Sequence, residues 1–300
     1  MLTIQIIQAG QALDMSVVGL VLLTLLLAAV VSFAITPLVK AFSVKVGAID
    51  VPKDNRRMHD HPIPRLGGLA IFLGFMFAVV LMVPLNGPEQ GMLLGAVIIV
   101  VLGVFDDIYA LPAKLKFVVQ IVAALVSVLA GNQIRILSNP NLFSENPVWV
   151  LDDWLSIAIS VIWVVAITNA VNLIDGLDGL ACGVSTISSA TMLIIALLVS
   201  ELDVAMIMGA LVGACIGFLP YNFNPAKIFM GDTGATFLGF IMANMSIQGM
   251  FKMYTIISFV APFLILGLPI FDTCFAFIRR IAHGQSPMHA DRSHVHHRLI

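Results

Sequence analysis

The stretch NLIDGLDG, residues 172–179, decides how the rest of the chain is read. It holds two acids, Asp175 and Asp178, three residues apart and each followed by glycine, between the apolar runs 155–171 and 180–199. A carboxylate at the centre of a membrane helix costs roughly 3 kcal/mol or more. The two acids therefore mark a turn at a membrane–water boundary, with a separate span on either side. The glycines let the chain turn and let another group approach the backbone. If the segment is helical, the i, i+3 spacing puts both acids on one face.

The composition agrees. Of 300 residues, 60% are apolar and only 11% are charged, and the mean hydropathy is +1.04. A soluble domain carries about 25% charged residues, so water is not the main solvent of this chain. The formal net charge of −2 provides no global field for nucleic acid. Cys182, Cys215 and Cys274 lie in apolar runs without C-x-x-C spacing and read as small packing residues. The N-terminal MLTIQIIQAGQALDMS has no basic n-region or small-residue cleavage site, so the first apolar run is expected to be a permanent span.

A span needs about 20 mainly apolar residues, fewer where its ends snorkel. Nine segments qualify: 16–39, 66–84, 91–105, 116–130, 155–171, 180–199, 204–220, 233–250 and 255–278. The expected fold is all-α, a polytopic membrane protein forming one helical domain over 1–300. Nine spans place the loops 40–65, 105–116, 172–179, 221–232 and 279–300 on one side. That side holds thirteen of the fifteen Lys and Arg; the other holds Arg135 and Lys252. The positive-inside rule makes the lysine- and arginine-rich side cytoplasmic and puts the N-terminus outside.

The same side collects the unusual polar groups. GVFDDIYALPAKLK (103–116) supplies Asp106, Asp107 and Lys116; NAVNLIDGLDG supplies Asn169, Asn172, Asp175 and Asp178. PYNFNPAKIFMGDTGA supplies Asn222, Phe229 and Asp232, and HADRSHVHHRL supplies Arg292, His294, His296 and His297. The first loop, DNRRMHDHPIPRLGG, adds Arg65. Each piece has an ordinary reading. Adjacent acids at a helix end cap it or answer its dipole, Asp-Gly pairs form turns, and GDTG can enter a helix with Asp232 as its cap. The H-x-H-H run lacks a nearby fourth zinc ligand and reads first as a solvated basic tail. Asp272, in the last span, reads as a polar pair or a snorkelling group.

Together the pieces say more. Five carboxylates at one boundary, Asp106, Asp107, Asp175, Asp178 and Asp232, repel one another unless a cation neutralises them. Mg²⁺ is typically bound by one or two carboxylates plus substrate phosphates. The neighbouring Arg, Lys and His suit anionic phosphate oxygens. The chain has no Walker loop and no G-x-G-x-x-G fingerprint. The inventory is that of a phosphoryl-transfer site placed to take one substrate from water and one from lipid.

DDIYAL, NAVNLIDGLDGLA, PYNFNPAKIFMGDTGATFLG and HADRSHVHHRL, in this order, resemble the motifs of the polyprenyl-phosphate N-acetylhexosamine-1-phosphate transferases, over about residues 50–300. The resemblance implies transfer of a sugar-1-phosphate from a UDP-sugar to undecaprenyl phosphate, with release of UMP, at the cytoplasmic face of the bacterial cell membrane. It implies Mg²⁺, with Mn²⁺ as the alternative ion. By the same resemblance Asp232 and Asp107 are metal ligands, and Asp106, Asp107, Asp175 and Asp178 are the catalytic acids. Asn169 and Asn222 contact the nucleotide, Phe229 stacks on uracil, and Asn172 is a further substrate-binding residue. Arg65 and Lys116 bind substrate, and the motif with Arg292, His294, His296 and His297 handles the diphosphate and sugar. PIPRLGG and the form of the histidine motif resemble the branch that uses UDP-GlcNAc and opens teichoic-acid or O-antigen-type lipids. The phospho-MurNAc-pentapeptide branch, which reads PTMGG at the first of these places, is the alternative. Family members usually have ten or eleven spans, so the chain ending at Ile300 is expected to lack the last helix. A homodimer is compatible with the family. The rival from another class is a secondary transporter, but transporters place such carboxylates near the bilayer midplane, whereas these gather at one boundary.

Overall fold

The computed structural model describes residues 15–51, 62–138 and 148–249. The expected span 255–278, Asp272 and the histidine motif lie outside them. Among the described residues there are eight helices: α1 (Met15–Lys45), α2 (Gly67–Met82), α3 (Gly87–Tyr109), α4 (Ala113–Leu129), α5 (Asp153–Leu173), α6 (Leu180–Leu198), α7 (Leu202–Asn222) and α8 (Gly231–Gly249). Each coincides with one of the first eight expected spans. Five of them, α1, α3, α5, α6 and α7, are long and apolar enough to cross a membrane, and the shorter α2 is also apolar. The fold is that of a polytopic helical membrane protein. Among the described residues two antiparallel ribbons interrupt the helices: β1 (Ile49–Asp50) with β2 (Ile63–Pro64), and β3 (Ile136–Ser138) with β4 (Val148–Val150).

Helix α8 is the axle of the bundle. Every residue of it except Asp232 is buried, with α2, α3, α5, α6 and α7 packed around it. Because protein rather than lipid surrounds it, α8 carries polar groups that its neighbours satisfy. Asn244 accepts from Ser127 Oγ at 2.6 Å, Gln248 donates to Asn132 Oδ1 at 2.6 Å, and Trp163 Nε1 donates to Ser246 at 2.9 Å. In a site without water each bond avoids an unmet polar group.

Close helix contact comes from small residues. On α7, Gly209, Gly213 and Gly217 face α1, and a Cβ on Gly213 or Gly217 would run into the backbone of Leu25 or Ala29. α1 answers with a stripe of Thr24, Ala28, Ser32 and Thr36, all buried. Lipid tails are as apolar as leucine, so such interfaces rest on close van der Waals contact. The outward faces stay apolar, with Leu26, Leu38, Phe77, Ile162 and Ile187 exposed.

The loops fall into two groups. At one end the 130–134 turn ties α3 and α8 together, with Asn132 donating to the Pro88 carbonyl at 2.8 Å. At the other end the loop before α2 and the loop before α8 run side by side. Phe229 N–H donates to the Pro64 carbonyl, while Gly67 and Gly68 donate back to the carbonyls of Phe229 and Met230, all at 2.8–2.9 Å. Ser43 and Ala48 anchor this edge, since Arg65 N–H donates to the Ala48 carbonyl and to Ser43 Oγ.

Candidate active site

The site is built on the first turn of α8. A helix N-terminus leaves N–H groups without partners, and the sequence offers Asp232 to cap them. The structure uses Asp107 of α3 instead. Asp107 Oδ1 accepts from Asp232 N–H at 3.0 Å, and Oδ2 accepts from Thr233 N–H at 3.1 Å and Thr233 Oγ1 at 2.7 Å. Arg65 completes the set, donating to Oδ1 from Nε at 3.2 Å and forming an ion pair with it through Nη2 at 3.1 Å. Gly231 makes this approach possible. Its φ is +73°, and a Cβ there would sit 2.5 and 2.8 Å from the Asp107 oxygens. The Arg65 guanidinium is held charged, its pKa raised: burial opposes the charge, but Asp107, Asp232 and Asp50 outweigh it.

Relieved of capping, the Asp232 side chain turns to Lys116. The ammonium of Lys116 lies 2.7 Å from Asp106 Oδ2 and 3.1 Å from Asp232 Oδ2, and the two carboxyl groups are within hydrogen-bonding reach of each other. Two like charges about 4 Å apart repel by roughly 4 kcal/mol at a protein–water boundary, so the place between them favours a cation. Asp106 is also held from behind: α3 ends at Ala110 with φ +52°, and Leu111 N–H donates to Asp106 Oδ1 at 2.8 Å. Exposure ranks the acids, with side chains 0% exposed for Asp107, 5% for Asp106 and 26% for Asp232.

The remaining expected residues divide. Asp178 accepts from Ala226 N–H at 2.9 Å and from Asn224 Nδ2 at 3.4 Å, which fastens the loop between α7 and α8. Asn222 is buried and donates to the Ile228 carbonyl at 3.1 Å, closing the same loop. Asn169 donates to Gln120 Oε1 at 2.6 Å. Phe229 is partly buried in the paired loops, and Asn172 is partly exposed in the last turn of α5. Arg292, His294, His296 and His297 lie outside the described residues. Thr233, Gln120 and Gly231 were not anticipated. Gln120 had a signal, since it follows Lys116 at i+4 and so shares its helix face.

Asp175 stands apart. No described group donates a hydrogen bond to it, although it lies in the turn that faces Asp232 and Asp107. Desolvation, reinforced by the negative charge of Asp232 and Asp107, pushes its carboxyl pKa up to about 8. It is therefore neutral at pH 7 in the ion-free protein. The unfolded chain ionises it near pH 4, so stability falls as pH rises from about 4 to about 8 and levels off above. Asp175→Asn removes this dependence. Its melting temperature in cation-free detergent should exceed that of the parent by several degrees at pH 9 and match it closely near pH 4. A gap that stays constant across this range would refute the assignment.

No three described His, Cys, Asp or Glu side chains converge as a self-sufficient metal cage. A pair of carboxylates is enough for Mg²⁺ completed by water and phosphate, and Asp106 with Asp232 forms such a pair.

A bundle that gathers carboxylates, Lys116 and Arg65 at one end of its helices defines a membrane transferase that handles phosphate groups, and the comparisons agree. The model of glycosyl transferase family 4 matches residues 90–250, and the chain belongs to that family. It is 44% identical over 267 residues to a Bacillus subtilis protein named probable undecaprenyl-phosphate N-acetylglucosaminyl 1-phosphate transferase, covering 89% of this chain and 73% of that one. It is 34% identical to a Mycolicibacterium smegmatis decaprenyl-phosphate N-acetylglucosaminephosphotransferase, covering 92% of this chain and 74% of the relative. It is 30% identical to a Thermotoga maritima undecaprenyl-phosphate alpha-N-acetylglucosaminyl 1-phosphate transferase, covering 90% and 78%.

Proposed function

We propose that this chain transfers N-acetylglucosamine-1-phosphate from UDP-GlcNAc to undecaprenyl phosphate at the cytoplasmic face of a bacterial plasma membrane, as the first membrane step of a cell-envelope glycopolymer. The observation that carries the reading is the Asp106–Lys116–Asp232 cluster at the start of α8; the names of the relatives supply the substrates. The thirteen-to-two distribution of Lys and Arg supports the cytoplasmic side. A transporter is disfavoured because the acids stand at the helix ends and not halfway along them.

In the reaction an oxygen of the lipid phosphate attacks the β-phosphorus of UDP-GlcNAc. The bond from that phosphorus to the bridging oxygen breaks, and UMP leaves with the electron pair. Both reactants are anionic, so the protein's work is charge neutralisation and alignment. Asp232 and Asp106 would hold Mg²⁺, or Mn²⁺ in its place. The bound ion would screen the diphosphate and stabilise the leaving group. Lys116, drawn between the two acids in the ion-free protein, is within side-chain reach of a phosphate once a metal ion takes over their charge. Asn172, open at the mouth of the turn, offers its amide.

The deciding assay is UMP release by the purified protein in detergent. Release should require UDP-GlcNAc, undecaprenyl phosphate and a divalent cation together, and should fall at least about 100-fold with a chelator. Release with UDP-MurNAc-pentapeptide in preference to UDP-GlcNAc would assign the other branch, and no release with either would end the transferase reading.

A further inference from the structure

We propose that Asp107 is a positioning residue: it caps α8 from a neighbouring helix and, clamped by Arg65, sets where Asp232 stands, touching neither metal nor phosphate. The inference rests on the function proposed above and reassigns one of its residues. A carboxylate offers about four lone-pair positions. Four hydrogen bonds already fill those of Asp107, one from Arg65 Nε, one from Asp232 N–H and two from Thr233, and Arg65 Nη2 adds an ion-pair contact at 3.1 Å. Its side chain has no exposed surface, while that of Asp232 is 26% exposed. To bind a metal ion, Asp107 would have to release the first turn of α8.

Its neighbour in sequence is placed for a different task. Successive residues on an α-helix point about 100° apart, so Asp106 and Asp107 leave α3 in different directions. Asp106 turns toward Lys116 on α4 and Asp107 toward α8. The pair is one acid for the reaction centre and one for the frame that carries it. Packing supports this division. Neither Gly231 nor Gly103 has room for a Cβ at this turn: one added to Gly231 would meet the Asp107 carboxylate, and one added to Gly103 would lie 2.8 Å from Thr233 N. α3 and α8 are thus pressed together where Asp107 bonds. Through Arg65 the same carboxylate also fastens the chain just before α2, so three elements take their relative position from it.

The test compares Asp107→Asn, Asp232→Asn and Thr233→Val by two readouts: Mn²⁺ binding to the purified protein, followed by electron paramagnetic resonance without substrate, and steady-state UMP release. Asp232→Asn should weaken Mn²⁺ at least tenfold. Asp107→Asn should leave the Mn²⁺ dissociation constant and the KM for UDP-GlcNAc within about threefold while kcat falls 10- to 100-fold, without rescue by excess cation. Thr233→Val, which keeps the Asp107 carboxylate and removes one of its donors, should lower kcat three- to tenfold, and the double variant should be no worse than Asp107→Asn alone. A tenfold or larger loss of Mn²⁺ affinity in Asp107→Asn, with turnover restored by excess ion, would overturn the proposal. So would wild-type turnover by Thr233→Val, an outcome that remains readable if Asp107→Asn fails to fold. Absence of UMP release by the unmutated protein would sink the transfer function instead, and the Mn²⁺ titrations would still decide the role of Asp107.

Discussion

Asp232→Asn should lower kcat for transfer by about 10³-fold while leaving the protein folded. The side chain keeps its shape and loses its charge. Removal of one preorganised charge-stabilising group typically costs 10²- to 10³-fold, about 3–4 kcal/mol, and here the lost group is the most open of the three clustered carboxylates. Stability should hold because Asp232 does not cap its own helix; that task falls to Asp107. The variant also weakens the hold on the Lys116 ammonium, which keeps Asp106 at 2.7 Å as its other partner. The melting temperature is therefore expected to stay within a few degrees of the parent, each kcal/mol being worth about 2–4 °C at this size. Turnover above a tenth of the parent rate would remove Asp232 from the reaction centre, and a collapse of the fold would make it structural.

Gly68→Ala should damage both fold and activity through a single methyl group. Gly68 lies where α2 crosses the start of α8, and a Cβ there would overlap the backbone N and Cα of Gly234. Backbone cannot move aside as a flexible side chain can, so the helices must separate. Overpacking of this kind costs about 1–3 kcal/mol or more. Gly68 N–H also donates to the Met230 carbonyl at 2.8 Å, so the shift is passed to the turn that carries Gly231 and Asp232. A fall in melting temperature of about 5 °C or more is expected, with transfer reduced at least tenfold even at temperatures where the variant is folded. Gly183→Ala is the control. No atom lies within 4 Å of its added Cβ, and alanine in an open helical position is neutral or stabilising by about 0.4–1 kcal/mol. Equal behaviour of the two variants would show that the α2–α8 approach does not limit the fold.

These expectations follow from features of unequal visibility in the sequence. The helices were legible because a bilayer demands about 20 apolar residues per span, and eight of the nine expected spans coincide with described helices. The collection of Asp106, Lys116, Asp175 and Asp232 at one end followed from the alternation of loops between the two sides. Less legible was which acid does which work. DD at 106–107 reads as a matched pair, yet one of its members is tied to Lys116 and the other to α8. Asp178 and Asn222 looked like ligand contacts and are engaged with the loop before α8. GDTG read as a self-capped helix start, and the cap comes from 125 residues earlier in the chain.

By itself the sequence determined the solvent of this protein, the number and order of its described helices, and the end of the bundle at which polar chemistry collects. Those properties depend on sums over local runs of residues, which hydropathy and charge count directly. Only the tertiary structure decided that α8 is enclosed by protein, that Asp107 is enclosed and engaged, and that Asp232 is left open beside Lys116. Those depend on which lone pairs meet which donors across helices far apart in sequence. A carboxylate acquires its role from partners that no local window contains.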